Sequence, residues 1–458
     1  MGSTKVGHGG PTGRGPTIVP MTTTPDARPD DRRPRRPRGR RLLAGTSLLL
    51  AGSLLLSGCA AASGGTNGTS GTSTSTGTSR AATGDLTVAD AATQVTESDS
   101  STTAETIAAT TEAVDAFLAT LSDEQREAVT YDYDDETKTT SWSNFPVTFV
   151  DRAGLNVADL TEEQQVAAMQ VLEALLSDDA YETVSQIVAS DQYLADASSS
   201  GDADVLGQYY IAVFGDASDS SAYEVQFGGH HLGINATLDG STDAITFAPT
   251  HLGVQPADWT DEDGTEVQAF DGIYTDAFAF YDSLTAEQQA TLTSGDVTMC
   301  APGDTCEFTT GAGLSGADLT DEQRELLLDL IANWSGMADA ESAATTRAEI
   351  EATLDDTVVA WSGETTYDMT QGDGIDFSIS GPKAYVAFQA QQGSAGADVD
   401  GVTTSGWGHV HTIYRDPSND YAGSVEQQEA TGGPGAGGGG GGAPADGGPG
   451  GGAAPDAE

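Results

Sequence analysis

Apolar positions recur at helical spacing in two well-separated parts of this chain. Ala168, Val171, Leu172 and Leu175 fall at i, i+3, i+4 and i+7. Leu327, Leu330, Ile331 and Trp334 repeat that stripe 159 residues later. Such spacing places four side chains on one face of an amphipathic helix. The residues ahead of each stripe also match. Nine of thirteen positions are identical between Ala153–Gln165 and Ala312–Arg324. Both copies carry Thr followed three residues later by Gln, the reciprocal capping arrangement that satisfies free amides at a helix start. A second pair lies upstream, with Val114, Phe117, Leu118 and Leu121 paralleling Ala277, Phe280, Tyr281 and Leu284 at an offset of 163.

Alternating runs rich in β-branched and aromatic residues follow the helices in each half. In the first half they are Tyr209–Gly215, Tyr223–Phe227, Leu232–Thr237 and Ala244–Phe247. In the second they are Val358–Trp361, Ile375–Ser380, Tyr385–Phe388 and His409–Tyr414. The pattern predicts an α+β fold: an internally duplicated helix-helix-strands unit, its halves at 105–256 and 265–425 arranged about a pseudo-dyad in one compact domain. Two copies are too few for a solenoid.

The ends read differently. A basic stretch at 31–41, an apolar run from Leu42 to Ser57 and the sequence Leu56-Ser57-Gly58-Cys59 form the pattern of a bacterial lipoprotein signal. The expectation is a signal peptide over 1–58, export by the Sec or twin-arginine route, lipidation of Cys59, and anchoring at the outer face of the cell membrane. Met21 is an alternative initiator. Residues 59–104, dominated early by Ser, Thr, Gly and Ala, read as a flexible tether, and 426–458 as a Gly/Pro/Ala-rich disordered tail.

Charge narrows the partners. The chain has 18 basic and 70 acidic residues, and all but eight of the basic ones precede Cys59. So acidic a body repels phosphates, which excludes nucleic acid as a partner. Asp261-Glu262-Asp263-Gly264 does not make a calcium loop of EF-hand spacing, because Trp259 stands where an acid is required. Cys300 and Cys306 flank Pro302-Gly303, and outside the cytoplasm they are expected to form a disulfide.

Five of the six histidines fall in the folded part, four of them in two short windows: His230-His231, and His409-x-His411. Both windows read as strand. Alternate residues of a strand share a face, so His409 and His411 would make a two-imidazole start for zinc, copper or iron, on the same face as Arg415. His230 and His231 are adjacent, so regular alternation lets only one of them join unless a bulge intervenes, which Gly228-Gly229 would tolerate. His230 shares parity with Leu232 and Ile234, which favours His231, beside Asn235, as third ligand. His230 is then an alternate ligand or a catalytic neighbour. The competing reading of any lone strand histidine is a hydrogen-bonded structural residue, and it is preferred for His251. Arg415 either pairs with Asp416 or Asp420 or orients an anionic substrate group. Trp407 and Tyr414 are pocket walls or core aromatics. No HExxH, Gly-x-Ser-x-Gly or phosphate-cradling glycine loop occurs.

Ser143-Asn144-Phe145-Pro146, Gly228-Gly229-His230-His231-Leu232, His409-Val410-His411-Thr412-Ile413-Tyr414-Arg415-Asp416-Pro417 and Asp420-Tyr421 occur in an order that resembles the family named domain of unknown function 3500. The resemblance spans roughly 105–425. It implies one contiguous domain and the pairing of the two histidine windows, and carries no activity with it. The expected function is a membrane-anchored extracytoplasmic protein with a histidine-lined, metal-dependent site of hydrolase or oxidase type, holding one divalent transition metal (Zn, Cu or Fe). The alternative is a noncatalytic surface module that binds a small molecule or wall polymer, its histidines structural.

Overall fold

The computed structural model describes residues 86–98, 100–200, 206–261, 263–293, 297–304, 306, 308–309, 312–368, 373–392 and 396–425. The expected signal peptide, the lipidation site Cys59, the start of the tether and the tail from 426 lie outside the described residues. No described helix is long and apolar enough to cross a membrane.

The helices are α1 (Val88–Ala92), α2 (Thr103–Thr120), α3 (Asp123–Val129), α4 (Glu162–Leu175), α5 (Asp178–Ala197), α6 (Asp271–Ser283), α7 (Ala286–Gln289), α8 (Asp321–Ser335) and α9 (Ala340–Glu351). The strands are β1 (Thr130–Tyr131), β2 (Leu155–Asn156), β3 (Tyr210–Phe214), β4 (Ala222–Gly228), β5 (Leu232–Asp239), β6 (Ala244–Thr246), β7 (Thr250–Val254), β8 (Trp259–Thr260), β9 (Glu266–Val267), β10 (Leu314–Ser315), β11 (Val358–Gly363), β12 (Ile375–Ser380), β13 (Tyr385–Gln391) and β14 (Gly406–Arg415). The fold is α+β, as the pattern predicts.

One sheet runs in the order β1-β3-β4-β5-β7-β14-β13-β12-β11-β10, with β2 on β3 and β6 on β5. Among the described residues only the short β1–β3 pairing is parallel. β7 and β14 meet at the middle, antiparallel, with Leu252 opposite Thr412. Outward from that seam the chain steps β5, β4, β3, β2 on one side and β13, β12, β11, β10 on the other.

The caps behave as their residue types require. Thr161 and Thr320 each accept from the backbone amide of a glutamine three residues on, and that glutamine's side chain returns to the cap amide. The two cap glutamines reach further. Gln164 donates to Thr120 O and to Gln125, while Gln323 donates to Ser283 O and to Gln288. Each therefore ties the end of one helix to the start of the next but one, α2 to α4 and α6 to α8, where the apolar faces pack.

The sheet is buried on both faces, with opposite character. Tyr223, Val225, Phe227, Leu232, Ile234, Leu252 and Val254 join the helix stripes in the main core. The residues between them point the other way and are polar or small: Glu224, Gln226, Gly233, Asn235, His251, Gly253. Loops cover this second face and bring Trp142, Met299, Cys300 and Ala301 against Tyr385, Ala387 and Ile413. The Cys300–Cys306 disulfide forms, as expected from their spacing.

One expectation needs correction here. The tether does not extend to 104: Thr87 caps α1 with a full capping box, and Val88, Ala91 and Ala92 are buried against α4 and α5. A boundary drawn on Ser/Thr/Gly content overlooks three small apolar residues that suffice to dock one helical turn. Of the two readings open for Trp407 and Tyr414, the structure takes the core one: both belong to the main core.

Candidate metal centre

The first histidine window is a turn. β4 ends at Gly228 and β5 begins at Leu232, and the hairpin closes with Gly229 N–H donating to Leu232 O at 2.8 Å. His230 and His231 occupy that turn, so strand alternation does not separate them. The expectation that only one of the pair joins the cluster is thereby corrected. Ligand nitrogens of His230, His231, His409 and His411 all lie within 4.8 Å of one another, a group able to hold a metal ion.

The second window is a strand with a defect. β13 pairs with β14 regularly from Tyr385↔Arg415 to Ala390↔Val410, then jumps to Gln391↔Gly406. Trp407, Gly408 and His409 are the residues left over on β14. A bulge bends the strand and re-aims side chains, and this one lies where His409 meets His231. Nε2 of His409 lies 3.5 Å from Nε2 of His231 and 3.3 Å from Nε2 of His411. Ligands held about 2.1 Å from a tetrahedral ion sit about 3.4 Å apart. The observed spacings match that geometry.

Room for the rings comes from Gly253 on β7, directly opposite His411. A Cβ there would stand 3.2 Å from Cδ2 of both His231 and His411 and 2.9 Å from Val410 O. Gly253→Ala is therefore expected to push the two imidazoles apart, lower metal uptake and cost about 1–3 kcal/mol through overpacking. Denaturant unfolding together with metal analysis reads both effects. Gly233→Ala, whose nearest neighbour would be His251 Cβ at 3.3 Å, is the milder control.

Burial decides the charge state. His231, His409 and His411 are buried and His230 is only partly so. Desolvation, reinforced by the neighbouring imidazoles, holds His230 and His411 well below the ordinary histidine range. They stay neutral at pH 7 and keep a lone pair for an ion. Nδ1 of His230 and of His411 finds no hydrogen-bond partner among the described residues. Orphaned buried polar atoms of this kind are uncommon and call for a reason, such as an ion or a water at the site.

His231 is held from behind. Its Nδ1–H donates to Asp191 Oδ1 at 2.5 Å, and Tyr209 O–H donates to Asp191 Oδ2 at 2.6 Å. Neither Asp191 nor Tyr209 was singled out by sequence reasoning, yet a signal existed for the acid. Asp191 continues the apolar stripe of Val184, Ile187, Val188 and Leu194 on α5, and all five are buried. A carboxylate on the core face of a helix is an anomaly.

The remaining candidates are not in the cluster. His251 places Nδ1 2.7 Å from Thr412 O and Nε2 3.0 Å from His230 O. Burial brings it down to about 4, against the upward pull of those two carbonyls. It braces the turn that carries His230. Asn235 accepts from Gln226 and donates to Pro249 O, away from His231. Arg415 gives Nε and Nη2 to Asp420 at 2.6 Å and Nη1 to Cys300 O. The substrate-orienting role expected of Arg415 is corrected accordingly. Four strand positions separate it from His411, about 13 Å at the usual rise, and its fork is spent on tying the disulfide loop to the C-terminal turn. The cation beside the cluster is Arg152, which reasoning from the sequence passed over. It donates to Gly229 O, Ser143 O and Phe145 O, clamping the Ser-Asn-Phe-Pro segment onto the histidine turn. Burial lowers it to about 10, so it remains charged.

A sequence profile now places the chain. The family described as "Protein of unknown function (DUF3500)" matches residues 103–423. The chain belongs to this family. The matched span covers both histidine windows, Asp191, Gly253 and Arg152. No curated protein and no solved structure matches the chain.

Proposed function

We propose that this member of the DUF3500 family is an extracytoplasmic, lipid-anchored metalloprotein with one transition-metal ion held by His231, His409 and His411. The observation that carries the reading is the spacing of His409 Nε2, 3.3 Å from Nε2 of His411 and 3.5 Å from Nε2 of His231. His230, the partly exposed member, stands on the solvent side, as a fourth ligand or as the group that meets an incoming molecule. A three-nitrogen set with a position left for solvent or substrate suits hydrolase or oxidase-like chemistry. When bound, the ion would acidify a water or polarise a substrate oxygen. The chain's own contributions are three imidazole donors, a carboxylate behind one of them, and Arg152 as a nearby positive charge. Zinc, copper and iron all accept imidazole.

The anchoring part of the proposal rests on the basic stretch, apolar run and Cys59. The duplicated ancestry rests on the repeated caps and on the strand order either side of the β7–β14 seam. A dyad through Leu252 and Thr412 relates His251 to His411. The hairpin holding His230 and His231 corresponds to the one at Gly381, where Pro382 and Lys383 stand instead. Gly381 N–H closes that hairpin on Ala384 O, as Gly229 does on Leu232 O. On this reading each half acquired two of the clustered histidines, and the first half kept His251 as a brace.

The test is elemental analysis of the purified protein, followed by azide titration of its cobalt- or copper-substituted form. About one equivalent of metal and an azide-sensitive spectrum are expected. Metal retained with no response to azide would indicate a closed four-histidine site and favour the noncatalytic binding module. Less than a tenth of an equivalent of any transition metal, with no uptake of added zinc, copper or iron, would overturn the proposal.

A further inference from the structure

Asp191 is a buried carboxylate, 1 % exposed, on the core face of α5. Among the described residues its only basic partner is His231. Taking a carboxylate out of water costs several kcal/mol unless it is paired and hydrogen-bonded. A neutral imidazole is a poor counter-charge, so an isolated Asp191–His231–Tyr209 chain is an expensive thing to keep in a core. The cost is offset if positive charge sits at the far nitrogen of His231. That far nitrogen, Nε2, is the one facing Nε2 of His409.

We propose that Asp191, held in place by Tyr209, is a positioning residue that fixes His231 in the tautomer carrying its proton on Nδ1, so that Nε2 always presents a lone pair to the ion. This rests on the metal reading given above. The carboxylate can only accept, so Nδ1 must donate, and the ring has no second choice of tautomer. The same contact sets the ring's rotation. Tyr209 completes the arrangement by donating to the other carboxylate oxygen at 2.6 Å, which fixes the rotation of Asp191 itself. Tyr209 is fully buried, and burial with Asp191 alongside pushes its hydroxyl well above the ordinary tyrosine range, so it donates at every accessible pH. The carboxylate also places one negative charge behind a site built of imidazoles.

Asp191→Asn tests this. An amide can turn its NH2 toward Nδ1, and that favours the tautomer with a proton on Nε2, where the ion needs the lone pair. Outer partners of metal-bound histidines are worth about 10–100-fold in affinity. Metal-free wild type, Asp191→Asn and Tyr209→Phe are each titrated with Co(II) in competition with a chelator, recording affinity and the visible ligand-field spectrum. Asp191→Asn is expected to bind 10–100-fold more weakly with a shifted spectrum, and Tyr209→Phe a few-fold more weakly. A purely structural Asp191 would lower the melting temperature of the metal-free protein and leave both readouts unchanged. Wild-type binding with variant affinities within twofold and identical spectra overturns the inference alone. No binding by wild type overturns the metal reading and this inference with it. If Asp191→Asn does not fold, Tyr209→Phe decides: unchanged affinity and spectrum reject the role.

Discussion

His411→Ala is expected to bind metal more than a hundredfold more weakly than wild type, with a fold that survives. His411 sits at the middle of β14 with its Nε2 3.3 Å from that of His409. Removing one of three histidine ligands forfeits about a third of the ~10–16 kcal/mol typical of a structural zinc site, roughly 4 kcal/mol and well over a hundredfold. The apolar packing behind the strand, from Val410 and Tyr414 into the main core, is untouched. His409→Ala should behave alike. Two controls separate ligation from general damage. His251→Asn removes a buried brace with no ligand role, and Arg415→Met removes the Asp420 pair, so both should lower stability while metal stoichiometry stays near wild type. Chelator competition and denaturant unfolding on the same samples provide the two axes. If His411→Ala and His251→Asn lose metal equally, the cluster is a fold element and not a ligand set.

The largest effect on stability is expected at Lys138. Lys138 and Glu224 are both fully buried and pair at 3.3 Å on the polar face of the sheet. The ammonium also meets Ser424 Oγ at 3.2 Å and lies 4.4 Å from the Tyr133 ring centre. Glu224 takes a further hydrogen bond from Thr237. Desolvation nevertheless raises the Glu224 carboxyl above its ordinary value, with Lys138 pulling the other way. Burial thus outweighs the pair's attraction, and the pair is held together by the geometry around it. Breaking such a pair leaves a lone buried charge and typically costs about 3–5 kcal/mol. Lys138→Met should lose stability of that size in urea or guanidinium unfolding. The double change Lys138→Met with Glu224→Leu should regain most of it, because no charge is then stranded. A loss below about 1 kcal/mol for the single change would mean water reaches the pair.

Much of the scaffold was legible without coordinates because it is governed by local rules. Helix caps at Thr161 and Thr320, the stripes behind them and the strands from Tyr209 to Phe247 are written within a few residues of themselves. Helices α5 and α9 and strand β7 were not predicted. α5 carries an acid in its stripe, and β7 is a five-residue strand interrupted by His251 and Gly253, so neither advertises a simple period.

The sequence by itself determined the α+β class, the repeated caps, the disulfide and the grouping of histidines into two windows. Only the tertiary structure decided that both His230 and His231 face the cluster, because a hairpin turn is exempt from strand alternation. It alone decided that a bulge turns His409 toward His231, that Gly253 leaves the space, and that Asp191 arrives from a distant helix. It also decided that Arg415 is spent on Asp420. Periodicity reports which face a residue occupies within its own element. Which faces meet is settled by pairing between elements far apart in the chain, and no local pattern encodes that.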